Sequence, residues 1–201
     1  MTTTADIGAP AELAAVLRPE VNLCLWQREV PAALRRFVDV NLARRDCKRL
    51  TTWDGNEPDE LTWGVGLADA EDYDAFHDDV TMLSRLYAEL TGADRLTIKL
   101  EAFAGSLCER LHVDRVGLRL ICSYAGPGTE WLANADVDRR WLGTADDRLL
   151  RLGGAVRRMP RWSVGLMKGE RWPGNAGNGL VHRSPKCAAG ERRVLLKIEQ
   201  E

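Results

Sequence analysis

The sequence predicts an α+β fold in which short strands roll into a barrel or jelly roll and helices buttress it from one side. Three observations carry that expectation. The strongest helical pattern lies in the first half, over Ala70–Leu90, where Tyr73, Phe76, Val80, Leu83, Leu86 and Leu90 recur at three and four residues. From Leu96 the period changes to two, with Leu96, Ile98, Leu100 and Ala102 alternating with Thr97, Lys99 and Glu101. Several further short apolar runs follow, separated by Gly- and Pro-containing turns. Nothing resembling a linker parts the two halves. The expectation is one domain, with residues 1–95 a mainly helical layer and residues 96–201 the strand core.

In chain order, residues 1 to about 9 read as a frayed tail. Pro10–Leu17 is a short helix, with proline suited to its first turn. Val21–Trp26 alternates as a strand. Pro31 opens a second helix to about Arg45, with Leu34, Phe37, Val38 and Leu42 on one face. Thr51–Leu67 is rich in Gly, Pro and Trp and reads as loop with one strand at most. The Ala70–Leu90 helix stops at Gly92, and its His77 reads as a packing or surface residue. Strands are expected over Leu96–Ala102, Val116–Tyr124, Ser163–Met167, Leu180–Arg183 and Arg192–Ile198. A charged, irregular insertion, Asp136–Arg158, interrupts them.

Composition narrows the function classes. The chain has 201 residues, 45% of them apolar, which suffices for a sizeable core. Its 28 basic and 30 acidic residues leave a net charge of −2, which does not favour a nucleic-acid partner. No apolar run is long enough to cross a membrane, and the first residues lack the pattern of a signal peptide. Five scattered cysteines fit a reducing cytoplasm rather than a disulfide framework.

The chemistry concentrates in three pieces: Leu111-His112-Val113-Asp114, Leu180-Val181-His182-Arg183, and Gly190-Glu191-Arg192-Arg193. His112 and Asp114 share one face of a strand. With His182 they offer two imidazoles and a carboxylate, a set that occupies one face of an octahedral metal and leaves three positions open. An arginine near the third piece can hold a carboxylate through two parallel N–H bonds. Arg192 is the expected inward residue, because Val194, Leu196 and Ile198 share its face and form the more apolar set. This points to a metal-dependent oxygenase site. A rival set adds Cys108 and Cys187 to the two histidines as a tetrahedral zinc site, with Asp114 behind a ligand. A third reading is a barrel without metal, used for binding.

The runs Cys108–Asp114, Leu118–Leu132, Leu166–Gly169, Trp172–Asn175, His182–Pro185 and Arg192–Leu196 resemble the DUF1826 family, which implies no chemistry by itself. The order His-x-Asp, Gly-rich turn, strand ending in Gly, His, then Arg is also similar to the 2-oxoglutarate/Fe(II) oxygenases. That second resemblance implies a double-stranded β-helix of jelly-roll or cupin type. It implies Fe(II) on His112, Asp114 and His182, and 2-oxoglutarate on Arg192. Gly126-Pro127-Gly128-Thr129 matches the turn that closes such sites. Arg119 and Tyr124 are further expected cofactor-binding residues, and Trp131, Lys168, Trp172 and Asn175 are expected to line a site for a small molecule or a protein side chain. The long loop Trp172–Gly179 departs from the pattern.

Overall fold

The structure, a computed structural model, describes residues 3–54, 67–144 and 146–201. Among the described residues ten strands run in chain order: β1 (Thr3–Ile7), β2 (Val21–Trp26), β3 (Cys47–Trp53), β4 (Leu96–Ala104), β5 (Leu118–Ala125), β6 (Glu130–Leu132), β7 (Val156–Arg158), β8 (Val164–Lys168), β9 (His182–Arg183) and β10 (Arg192–Gln200). The helices are α1 (Ala32–Phe37), α2 (Tyr73–Thr91) and α3 (Asp146–Leu149), with a 3-10 segment at Pro10–Leu17 and a π-helical turn at Val38–Leu42 after α1. Among the described residues, no helix is long and apolar enough to cross a membrane.

Seven strands form one sheet in the order β1-β2-β8-β5-β10-β4-β3, and three form a smaller one in the order β7-β6-β9. Among the described strands only the β1–β2 pair is parallel. Over the central strands β2, β8, β5 and β10 both faces of the large sheet are buried, and this decides where the site lies. On one face Ile98, Leu120, Cys122, Tyr124, Leu166, Val194 and Leu196 pack under α1, α2 and the 3-10 segment. Helix α2 contributes Phe76, Val80, Leu83 and Tyr87, each worth roughly 1.5–3 kcal/mol of apolar burial. It stops where Gly92 turns left-handed (φ 67°) and its N–H bonds to the Ala88 carbonyl. On the opposite face Leu23, Leu25, Ile121, Met167 and Leu195 meet Trp131 and Leu180 from the small-sheet side. The small sheet is covered on its far side as well. Leu132 and Val181 pack there against Leu149 and Val137 of the 136–158 insertion, which forms an outer layer with its own apolar cluster.

Three expectations change. The first residues are not a frayed tail, because Thr3–Ile7 forms the parallel edge strand β1 on β2. Its five residues carry no alternation, and β2 supplies the pairing that orders them. Residues 1–95 are less helical than expected, since they supply β1, β2 and β3 to the large sheet; helices and strands interleave along the chain. The helix expected to Arg45 is α1 followed by the π-helical turn, ending at Leu42. Of Thr51–Leu67, read as loop with one strand at most, Thr51–Trp53 completes strand β3, and residues 55–66 lie outside the described residues.

Candidate metal centre

Two backbone hydrogen bonds build the centre. The His112 N–H donates to the His182 carbonyl (3.0 Å), and the His182 N–H donates to the His112 carbonyl (2.9 Å), closing a single antiparallel bridge. Residues directly opposite in such a pair present their side chains on one face, and here the ring centroids are 4.5 Å apart. Asp114, two residues on, returns to the same side. Its carbonyl accepts the Glu170 N–H at 2.9 Å, which ties the end of β8 to the ligand segment. Gly169 makes that approach possible: a Cβ there would fall 2.4 Å from the Val116 carbonyl oxygen and 2.7 Å from that of Asp114.

Each imidazole is held from behind. His112 Nδ1 lies 2.8 Å from the Arg110 carbonyl and His182 Nδ1 lies 3.0 Å from the Leu180 carbonyl. A proton on each Nδ1 satisfies these contacts and leaves each Nε2 with a free lone pair. Those lone pairs converge on Asp114: His182 Nε2 is 3.2 Å from Oδ2, and His112 Nε2 is 3.8 Å from Oδ1. One donor atom from each of the three residues lies within 4.8 Å of the others. Ligands about 2.1 Å from a metal sit about 3 Å apart in an octahedral shell, so the three residues fit a metal with only small ring movements.

The electrostatics prepare the ligands. Burial, reinforced by the neighbouring His182, lowers the His112 pKa and favours its neutral form. Burial alone would raise the Asp114 pKa. When His182 carries a proton on Nε2, its hydrogen bond and charge, then Arg119, outweigh burial and hold the carboxyl well below the usual range; a metal cation would take that proton's place. A neutral imidazole beside an ionised carboxylate is the state that binds a cation.

The two arginines of β10 separate. Arg192 points to the helix side, where Nε donates to the Ala43 carbonyl (2.8 Å) and Nη2 pairs with Asp46 (2.5 Å). Arg193 points to the face shared with the histidines and is 1% exposed. Its Nε donates to the Pro127 carbonyl at 2.9 Å, and its Nη atoms reach only hydroxyls, Ser184 at 3.3 Å and Ser123 at 3.4 Å. Among the described residues no carboxylate pairs with it, and burial pushes its pKa down. Ser184 is two residues past His182, so this guanidinium reaches the segment that carries a candidate ligand. The expected inward residue, Arg192, is therefore corrected to Arg193. The reason is physical: β10 is buried on both faces, and the more apolar face packs against helices rather than against the site.

The Gly126–Thr129 turn supports the same residue. A Cβ on Gly126 (φ 71°) would fall 2.2 Å from the Arg192 carbonyl oxygen and 2.9 Å from Arg193 Cγ. Only glycine lets the turn close onto β10 and bring the Pro127 carbonyl to Arg193.

A family described as a protein of unknown function, DUF1826, matches residues 8–199. The chain belongs to the DUF1826 family. A search of curated proteins gives no match. Solved structures similar to this DUF1826 chain include the rice dioxygenase for auxin oxidation, with 14% identity over 99% of this chain and 82% of that one at a TM-score of 0.55. A full-length Neurospora crassa protein in complex with alpha-KG has 12% identity over 100% and 84%, also at 0.55. JOX2 in complex with 2OG, Fe and JA has 8% identity over 99% and 75%, at 0.53. At such identities the likeness is one of fold: this DUF1826 chain shares the mixed α+β, large-sheet architecture of these proteins.

The other expected site residues divide by sheet face. Arg119 lies beside the centre. It pairs with Asp114 Oδ2, and its Nε donates to Glu199 at 2.9 Å, so it orients the Asp114 carboxylate and is occupied by carboxylates on both sides. Tyr124 is corrected: it faces α2, where its hydroxyl donates to Asp79 at 2.7 Å. Lys168 is corrected likewise, since its ammonium donates to the Arg18 carbonyl (2.7 Å) and sits 5.3 Å over the Trp172 ring. Trp172 packs against the helix-side core, and Asn175 is buried with its amide on Asn22 and Gly169, so both fasten the long loop to the scaffold. The polar partners of Lys168 and Asn175 are Arg18, Asn22 and Gly169 rather than the triad side chains. Trp131 remains on the site face. Among the described residues the metal-competent cluster contains no cysteine. Cys108 Sγ lies 3.7 Å from His112 Nδ1, behind the ring, and Cys187 Sγ contacts the Pro185 carbonyl. The zinc set with two thiolates is not assembled. Ser123 and Ser184, the hydroxyl partners of Arg193, were not anticipated; their only sequence signal is two-residue spacing from Ile121 and His182.

Proposed function

We propose that this DUF1826 chain is an Fe(II)/2-oxoglutarate-dependent oxygenase whose paired sheets form a double-stranded β-helix. The observation that carries the reading is the convergence of His112, Asp114 and His182 donor atoms on the face that also buries an acid-free guanidinium, Arg193. The fold likeness supports it independently. His112, Asp114 and His182 would hold Fe(II) and leave three positions open. Arg193, steadied by Pro127, Ser123 and Ser184, would grip the far carboxylate of 2-oxoglutarate with its paired N–H groups. When bound, Fe(II) and 2-oxoglutarate would activate O2, one oxygen atom hydroxylating a substrate C–H bond and the other passing to the 2-oxo acid as it loses CO2. The chain's own residues do the rest. Arg119 fixes the Asp114 carboxylate, the Arg110 and Leu180 carbonyls fix the imidazoles, and Ile121, Leu195 and Met167 wall the space with apolar surface that excludes water. The substrate is a small molecule or a protein side chain, and the balanced charge argues against nucleic acid.

Anaerobic addition of Fe(II) and 2-oxoglutarate should produce the weak visible charge-transfer band of an iron–2-oxo-acid chelate. The band should vanish in His182→Ala. It should need far more 2-oxoglutarate in Arg193→Ala and about the wild-type amount in Arg192→Ala. Iron-loaded wild-type protein that shows no band would remove this reading.

A further inference from the structure

Trp131 carries a donor without an acceptor. The residue is 5% exposed, yet its Nε1 has no hydrogen-bond partner among the described residues. Its position is set by register. In the β6–β9 ladder Trp131 stands directly opposite His182, and His182 stands opposite His112, so the indole and the two imidazoles form a row on one face of adjacent strands. The packing neighbours in its cluster, among them Ile121, Met159 and Leu195, offer no strong acceptor. On its outer flank the Arg157 guanidinium lies 5.4 Å over the ring, which engages the π face and supplies no acceptor either. A buried, unbonded N–H is destabilising, and a phenylalanine would fill the same apolar space without that cost.

We infer that the Trp131 indole N–H is a cofactor-binding donor, its acceptor being a carboxylate or keto oxygen of a 2-oxo dicarboxylic acid lodged between the histidine row and Arg193. This rests on the oxygenase reading above and assigns one further contact to the same site. The N–H and the guanidinium approach the acid from different strands, β6 and β10. Together they select a ligand with oxygen acceptors at both ends, and they disfavour a monocarboxylic acid of similar size. The bond satisfies a buried donor that otherwise has no partner among the described residues, so losing it should weaken binding about tenfold, the equivalent of about 1.4 kcal/mol.

The test uses 15N-labelled full-length protein with Zn(II) in the triad as a diamagnetic stand-in. The Trp131 indole resonance is identified by its absence in Trp131→Phe. On titration with 2-oxoglutarate, the Trp131 indole proton should move downfield and exchange more slowly with solvent, beyond any change at the other six tryptophans. Calorimetry should show about tenfold weaker binding of 2-oxoglutarate to Trp131→Phe. Binding to wild type with a stationary Trp131 resonance, or equal affinity in the variant, overturns the assignment and leaves the oxygenase reading standing. Absence of any 2-oxoglutarate binding to metal-loaded wild type overturns both, and is recognised because calorimetry then shows no heat at all.

Discussion

Two polar clusters are buried on opposite faces of the large sheet, and they are built on opposite principles. Under the helices, Arg28 makes a two-pronged pair with Asp79 (Nη2–Oδ2 2.9 Å), its Nε donates to the Trp162 carbonyl at 3.2 Å, and the Tyr124 hydroxyl completes the carboxylate at 2.7 Å. Every charge there has its partner inside the protein. On the other face, among the described residues, Arg193 has only hydroxyls and a carbonyl as hydrogen-bond partners, with the Phe103 ring 5.9 Å from its guanidinium, two imidazole lone pairs converge on one carboxylate, and the Trp131 N–H has no acceptor. A closed network belongs to the architecture. An open one stores free energy that a ligand can release, and this marks it as a site.

The contrast predicts that breaking the closed cluster hurts folding most. Asp79→Ala leaves the buried Arg28 charge without its partner, and should lower the unfolding free energy by about 3–5 kcal/mol in denaturant titration. The triad should remain able to bind metal under conditions where the variant is folded. A loss below about 1 kcal/mol would mean that water already reaches Arg28 and that the two clusters differ less than their contacts indicate.

The open cluster should respond to its ligand instead. A divalent metal that binds only the folded state should stabilise wild-type protein by about 2.7 kcal/mol at a hundred times its dissociation constant. Asp114→Ala should abolish that gain. Stabilisation that survives in Asp114→Ala would move the binding site elsewhere. Next in size is the arginine of the open face. Arg193→Met removes a buried charge that has no acid partner among the described residues, and should leave apo stability unchanged or raise it by about 1–2 kcal/mol while removing most 2-oxoglutarate affinity. Arg192→Met removes a partly exposed pair with Asp46, and should change stability by about 1 kcal/mol or less and leave 2-oxoglutarate affinity near wild type. Equal responses from the two neighbours would erase the assignment of faces.

That pair also shows what could be read before the coordinates. Helix α2 and strands β2, β4 and β10 were legible because their apolar periodicity is long and their ends carry turn residues. His112, Asp114 and His182 were legible because their chemistry stands out against apolar strands, and a two-residue step keeps side chains on one face. The orientation of the sheet was not. Choosing Arg192 assumed that the more apolar face of β10 lines the site, and Tyr124 lies on that same helix-side face. A sheet buried on both faces has two apolar sides, and alternation alone does not say which one faces helices. Strand β1 escaped for another reason. Thr3–Ile7 has no alternation, and its order comes from pairing with β2. The loop residues Trp172 and Asn175 looked like pocket lining because aromatic and amide groups serve both recognition and fastening. Only contacts such as Asn175 to Asn22 separate the two uses.

The smallest expected effect lies on the outer side of the small sheet, where Glu130 ties three strands together. It accepts from Arg158 of β7 and Arg183 of β9, both at 2.7 Å. Burial would raise its pKa, but the hydrogen bonds from the two arginines outweigh this and lower it below the ordinary glutamate value. The folded protein then binds fewer protons at this residue than the unfolded chain does. Its contribution is present above the unfolded pKa and is lost as pH falls through the folded one. Arg158 is half exposed, so solvent screens the pair and its worth is about 1 kcal/mol or less. Glu130→Gln should therefore flatten the acid limb of the stability curve by that amount below about pH 4.5. It should leave metal binding at pH 7 unchanged, because Glu130 and the neighbouring Trp131 point to opposite faces of the same short strand. A loss of metal affinity at neutral pH in this variant would show that the outer arginine pairs hold the ligand strand in place. The boundary between closed and open clusters would then have to be drawn through the small sheet.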